Sequence, residues 1–353
     1  MNPFFNTRSQ LFSLTLSALL LGACAHTSGS DREPSSTWRE NVGWGHYISN
    51  TIQQIPYPVQ AGCEARRIEP PQGVRATRKI LLVHGFTACP QQFLEWAEQL
   101  SEKGVVVYLF LLPGHGFKGP EEHRYLPRGD SGITELKKLE DSLIEVARGD
   151  TLPTTVGGLS VGGAVATNAL LRSPTSFDGG IFFTPYFGPG SFMVRLARAT
   201  VNRVLNPVVG GKEIGWGPTC EDEVRKGRSG ICTFKIDHLR TVNNYGVSVI
   251  RNARPLVNKI QFVGVESDPA ANSDSIRKIA ERMGYPSSAN SHACFYKKGA
   301  NHSLLSPFDS PAEDKFWKKA LLEDATEFVL NGRGFRESGK STEDDFARCE
   351  DNI

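Results

Sequence analysis

The chain has 353 residues, with 40 Lys and Arg against 38 Asp and Glu and a formal net charge of +2. So near-neutral a balance, with no basic run, carries no electrostatic footprint for nucleic acid. With 39% apolar residues and no internal repeat, the chain suits one large core, or a core with an inserted cap, and not a solenoid or an array.

At the amino end, Arg8 and the terminal amine precede LFSLTLSALLLG (Leu11–Gly22), an apolar run of signal-peptide length that is too short to span a bilayer. It ends in Leu21-Gly22-Ala23-Cys24. These residues resemble the bacterial lipoprotein box, in which the cysteine is acylated and becomes the new amino terminus. The resemblance implies a leader over residues 1–23 and a membrane anchor at Cys24, each acyl methylene contributing roughly 0.8 kcal/mol. An ordinary leader cleaved nearby, with an incidental cysteine, is the alternative. Ala25, where inner-membrane retention would have Asp, implies the outer membrane, with the membrane face left open. Residues 25–40, polar and rich in Ser and turn formers, read as a tether. The organisation expected is tether and N-terminal segment at 24–60, a globular domain at 61–335 and a polar tail at 336–353.

From Lys79 onward, short apolar runs alternate with amphipathic stretches, as for strands buried on both faces between layers of helix. KILLV (Lys79–Val83) is a strand candidate leading into His84-Gly85-Phe86-Thr87, and a helix follows Pro90 with Phe93, Ala97 and Leu100 on one face. VVVYLFL (Val105–Leu111) is the next strand and runs into Pro113-Gly114-His115-Gly116. A helix near Ile133–Ala147 precedes a strand at Thr154–Gly157, which leads into GLSVGG and then a helix of small apolar residues. IFFTPYF (Ile181–Phe187), QFVGV (Gln261–Val265) and ACFYKKG (Ala293–Gly299) are further strands, the last two ending in Glu266-Ser267-Asp268-Pro269 and Ala300-Asn301-His302. A final helix near Pro311–Leu330 carries Trp317, Leu321, Ala325 and Phe328 as its stripe. Some seventy residues separate Phe187 from Gln261, more than a crossover needs. Within them, residues 191–205 read as an amphipathic helix.

A G-x-S-x-G motif acquires meaning only between a strand and a helix, and Gly158–Gly162 lies there. The ordered set HGFTACPQQF, LPGHG, GLSVGG, ESDP and GANH resembles the α/β-hydrolase family, in particular its carboxylesterases and monoglyceride lipases, over about residues 80–330. The resemblance implies an α/β fold: a mostly parallel central sheet with helices on both faces and a cap, about 188–258, inserted before the strand carrying the catalytic acid. It also implies the triad Ser160, Asp268, His302. A serine hydroxyl needs a base to take its proton as it attacks. His302 suits that work because an imidazole titrates near neutrality. Asp268 would hold the imidazole's tautomer, with Glu266 at the same strand end as the other acid. The backbone N–H groups of Phe86 and Val161 would receive the oxyanion.

Phe86, Phe187 and the cap are the expected contacts of an acyl chain. His84 and His115 are read as shaping their loops. Glu121, Glu122 and His123 are read as a solvated loop and not as metal ligands; no metal or cofactor is expected, since no dinucleotide, P-loop or H-E-x-x-H motif is present. With Cys24 acylated, six cysteines remain: Cys63, Cys89, Cys220, Cys232, Cys294 and Cys349. An even number in an exported chain fits disulfides, and six allow fifteen pairings. Cys220 with Cys232 is the local pair expected, stapling a Gly-rich excursion. The expected activity is cleavage of carboxylic esters with short to medium acyl chains through an acyl-enzyme. A lipase, thioesterase, amidase or acyltransferase on the same triad is the near alternative, and a non-catalytic binding lipoprotein the distant one. Oligomeric state stays open.

Overall fold

The computed structural model describes residues 41–119, 121–190, 211, 213–216, 218–297, 300–306, 317–335 and 349. The leader, Cys24, the tether, the helix read at 191–205 and all of the tail except Cys349 lie outside the described residues.

In chain order the strands are β1 (Arg66–Ile68), β2 (Arg78–Val83), β3 (Val105–Phe110), β4 (Thr154–Leu159), β5 (Gly179–Phe183), β6 (Glu213–Gly215), β7 (Thr233–Lys235), β8 (Lys259–Val265) and β9 (Ser291–Tyr296). The helices are α1 (Val42–Tyr47), α2 (Leu94–Glu102), α3 (Gly129–Arg148), α4 (Val161–Arg172), α5 (Pro218–Arg225), α6 (Ile236–Asn252), α7 (Ser273–Arg282) and α8 (Lys318–Asn331). Among the described residues, one sheet runs in the order β1-β3-β2-β4-β5-β8-β9. β1 is antiparallel to β3 and every other pairing in that sheet is parallel. β6 and β7 form a separate antiparallel pair.

Because strand side chains alternate, an unbroken apolar run serves two cores at once. Leu81 and Val83 of β2 join α1, α3, α4, α6 and α7 on one face. Ile80 and Leu82 face α2 and α8 on the other, with Trp96, Leu100, Trp317, Leu321, Ala325 and Phe328. The polar start of β2 is accommodated separately. Lys79 is fully buried, and its ammonium donates to the carbonyls of Val146 (2.9 Å) and Ala147 (2.8 Å) and pairs with Asp150 at 2.7 Å. It thus places a cation at the negative end of α3.

Several elements differ from the sequence reading. The stretch before residue 61 joins the core from Asn41 on: Asn41 caps α1 by accepting from Trp44 N–H at 3.0 Å, and the buried Tyr47 hydroxyl meets the Leu111 backbone. β5 stops at Phe183, four residues short of the expected end, because Thr184 turns with φ 39°. α6 falls within the expected cap at 188–258, yet its Val242, Tyr245 and Val249 are buried against α3 and α4, so it is a sheet-covering helix.

The disulfides are Cys63–Cys89, Cys220–Cys232 and Cys294–Cys349, which include the expected local pair. The Gly-rich excursion between Cys220 and Cys232, to which no helix was assigned from sequence, contains most of α5.

Candidate active site

β4 ends at Leu159 and α4 begins at Val161, so Ser160 alone makes the turn, with φ 55° and ψ −120°. A non-glycine residue there is strained and persists only if its surroundings over-determine it. Here the Ser160 N–H donates to the Phe183 carbonyl at 3.0 Å, and the Ser160 carbonyl accepts from Ala164 (3.1 Å) and Tyr186 (2.8 Å). The flanking glycines are required sterically: a Cβ on Gly158 would lie 2.5 Å from the Gly162 carbonyl, and one on Gly162 would lie 2.1 Å from Val83 O.

Asp268 and His302 follow β8 and β9, and meet through His302 Nδ1 and Asp268 Oδ2 at 2.7 Å. An ionised carboxylate only accepts, so Nδ1 carries the proton and Nε2 is left as the basic nitrogen. The other oxygen, Oδ1, accepts from the N–H groups of Ala270 (2.8 Å) and Ala271 (3.0 Å), which fixes the buried carboxylate. Glu266, the other acid considered from sequence, turns away to Arg277, whose guanidinium lies 4.1 Å from the Phe295 ring centroid. The His302 backbone is held by Thr184, whose hydroxyl donates to the His302 carbonyl at 2.8 Å.

Phe86 sits in the loop after β2. The amides on either side of it are occupied: Gly85 N–H donates to Gln92 Oε1 at 2.9 Å and Thr87 N–H to His115 Nε2 at 3.1 Å. Val161 opens α4, where an N–H has no intrahelical acceptor. His115 Nδ1 donates to the Pro113 carbonyl at 2.9 Å. His84 bonds in the same way, Nδ1 to Gly85 O at 2.8 Å, while Nε2 accepts from Leu112 N–H at 3.0 Å. With one nitrogen donating and one accepting, both rings are neutral. Burial, together with the nearby His115, pushes His84 well below the usual histidine range, and burial pushes His115 down to about 4. The two histidines therefore tie the Phe86 loop to the loop after β3, where the sequence reading had each only shaping its own loop.

Ser160, Val161, Phe86 and His302 open on one cavity of about 570 Å³, whose walls include Ile214, Trp216 and Phe234 from the β6–β7 pair. Phe187, expected to meet an acyl chain, does not line it. Because β5 stops early, Phe187 is buried in the core beside Gly246 of α6, and Tyr186 reaches the cavity instead. The loop at Glu121–His123 is solvated only in part. Glu121 is exposed, whereas His123 is buried, 5.8 Å from the His238 ring centroid and 3.9 Å from the Glu213 carboxylate. Gln92, Thr87, Tyr186 and Trp216 escaped the sequence reading; Thr87 and Gln92 carried a signal, their place in HGFTACPQQF.

A protein-family profile described as "Hydrolase_4: Serine aminopeptidase, S33" matches residues 75–244. A soluble variant of monoglyceride lipase from Saccharomyces cerevisiae, solved with a substrate analogue, superposes with a TM-score of 0.58 at 16% identity, over 78% of this chain and 97% of that one. The chain has the α/β-hydrolase fold. The monoacylglycerol lipase of Paleococcus ferrophilus shares this hydrolase fold with a TM-score of 0.55 at 19% identity, over 76% and 100% of the two chains. A carboxyl esterase from Bacillus coagulans does so with a TM-score of 0.55 at 15% identity, over 76% and 93%. No curated protein matches the sequence. In the hydrolase fold described above, the Ser160 turn, Asp268 and His302 all follow the carboxyl ends of parallel strands, where open α/β sheets gather their chemistry.

Proposed function

We propose that this protein is a serine hydrolase of carboxylic esters, acting on short to medium acyl chains through an acyl-enzyme on Ser160. The observation that carries the reading is one arrangement: Ser160 on a strained strand-to-helix turn and an Asp268-bound His302 open on the same largely apolar cavity. In it, His302 Nε2 takes the hydroxyl proton as Ser160 attacks the ester carbonyl, and returns it to the leaving alcohol. Asp268 stabilises the imidazolium in between. The Phe86 and Val161 N–H groups receive the charge that develops on the carbonyl oxygen. Water then attacks the acyl-enzyme by the same steps. The lipolytic and esterase activities named for structures of this fold support an ester as substrate. Because the matching profile is named for an aminopeptidase, an amide belongs in the test.

The test is hydrolysis of nitrophenyl esters from acetate to long acyl chains, beside aminoacyl nitroanilides, by the mature chain and its Ser160→Ala variant. Esterolysis with an optimum at short or medium chains, falling at least about 10³-fold in the variant, is expected. Folded wild-type protein no faster than Ser160→Ala on every ester would overturn the reading.

The same proposal has the enzyme exported and held on the outer membrane by acylated Cys24, supported by the apolar run at Leu11–Gly22 and the cysteine that follows it. Cys24→Ser should move the protein from the membrane fraction to the soluble one. Unchanged membrane retention refutes the anchor.

A further inference from the structure

Thr87 follows the proposed oxyanion donor Phe86 and is bound on every side. Its N–H donates to His115, its carbonyl accepts from Ile231 N–H at 2.9 Å, and its hydroxyl lies 2.7 Å from Trp216 Nε1 and 2.6 Å from Phe86 O. An indole nitrogen only donates and a carbonyl only accepts, so the hydroxyl takes the indole proton and aims its own at Phe86 O. The backbone at Thr87 has φ 64°, a conformation that a β-branched residue keeps only under constraint. The constraint comes from the segment that carries the cavity wall. Gly230 approaches so closely that a Cβ there would lie 2.3 Å from Thr87 O, and Ser229 N–H donates to Gln91 Oε1 at 2.8 Å. Trp216 itself lines the cavity, its ring 5.0 Å from Phe234, which stands edge-on to Phe86 at 5.4 Å.

We propose that Trp216 is a positioning residue for the oxyanion donor: through the Thr87 hydroxyl, the indole that walls the acyl cavity also orients the Phe86 peptide. The proposal rests on the serine-hydrolase reading. The Phe86 N–H belongs to the Gly85–Phe86 peptide, whose direction depends on the peptides before and after it. Gln92 holds the preceding peptide at Gly85 N–H; the following one is held at Thr87 N–H by His115 and at Phe86 O by the Trp216–Thr87 relay. Without the indole N–H, the Thr87 hydroxyl is free to rotate and that second hold weakens. Oxyanion charge develops only in the transition state, so the loss falls on kcat and not on KM.

The test uses Trp216→Phe, which keeps a ring in the wall and removes the donor, with Thr87→Ala, Thr87→Ser and the Trp216→Phe/Thr87→Ala double variant. Trp216→Phe and Thr87→Ala should each lower kcat for the best ester about tenfold, with KM changed less than about twofold. Thr87→Ser should restore most of the rate, and the double variant should be no slower than the slower single variant, since both break one relay. Wild-type kcat in Trp216→Phe, a change confined to KM, or effects that multiply in the double variant would overturn the relay while leaving Ser160-dependent esterolysis intact. Absence of that esterolysis in the wild type would remove the hydrolase reading, and the relay with it.

Discussion

Two carboxylates leave the end of β8 two residues apart, and their surroundings separate them. Asp268 is buried, with one oxygen on two backbone N–H groups and the other on His302 Nδ1. Glu266 is half-buried and paired with Arg277, away from the histidine. Asp268→Asn removes the charge that stabilises an imidazolium and allows the wrong tautomer, so kcat should fall about 10³–10⁴-fold. Glu266→Gln breaks one partly exposed ion pair and should stay within about threefold of wild type. Steady-state kinetics on one ester decides, and the reverse ranking would reassign the acid. Sequence offered both residues because their spacing from the strand is compatible with either. What distinguishes them is which carboxylate finds backbone donors, and that depends on how the chain turns after Val265.

The β6–β7 segment is tied locally by a disulfide and at long range by bonds to Thr87 and Gln91. Cys220–Cys232 closes a loop with a sequence separation of 12, which chain-entropy arguments value at about 3 kcal/mol. The Cys220→Ser/Cys232→Ser variant should therefore lose about 3 kcal/mol in urea unfolding. It should lose activity as well, because Ile214, Trp216 and Phe234 come from this segment. Unchanged stability and activity would mean that the bonds to Thr87 and Gln91 hold the wall unaided. α6 shows why the expected cap was too long. The sequence reading took only residues 191–205 of the interval as an amphipathic helix, and even an amphipathic pattern states that a face is buried and not against what.

At the scale of the molecule, buried histidines set the response to acid. Burial lowers His84 well below its ordinary value and His115 to about 4; burial, then the nearby His123, lowers His238 to about 4. In the unfolded chain each titrates near 6.5. Between about pH 6.5 and 4 the unfolded state therefore binds more protons, and stability falls as pH falls, by up to about 1.4 kcal/mol per pH unit for each histidine. Urea unfolding at pH 7 and pH 4.5 should differ by several kcal/mol in favour of pH 7. A flat profile across that window would mean that the folded protein protonates these rings freely. The histidines of HGF and GHG thus cost acid stability in return for holding the Phe86 loop to its neighbour.

The sequence by itself determined the alternation of buried strands and helices, the order of serine, acid and histidine, and the Cys220–Cys232 pair. These are legible because a strand buried on both faces must be apolar throughout, because the Ser160 turn tolerates only glycine at Gly158 and Gly162, and because short loops close locally. Tertiary structure alone decided which acid meets His302, that Tyr186 and not Phe187 reaches the cavity, that α1 joins the core, and that Cys63 pairs with Cys89 and Cys294 with Cys349. Each of these depends on contacts between residues far apart in the chain. Closing a longer loop costs only logarithmically more, so separation along the sequence carries little information about which distant groups meet. The Trp216–Thr87 bond, across 129 positions, is the clearest instance: neither residue belongs to a motif with the other, and only packing of the β6–β7 pair over the strand ends brings the indole to the hydroxyl.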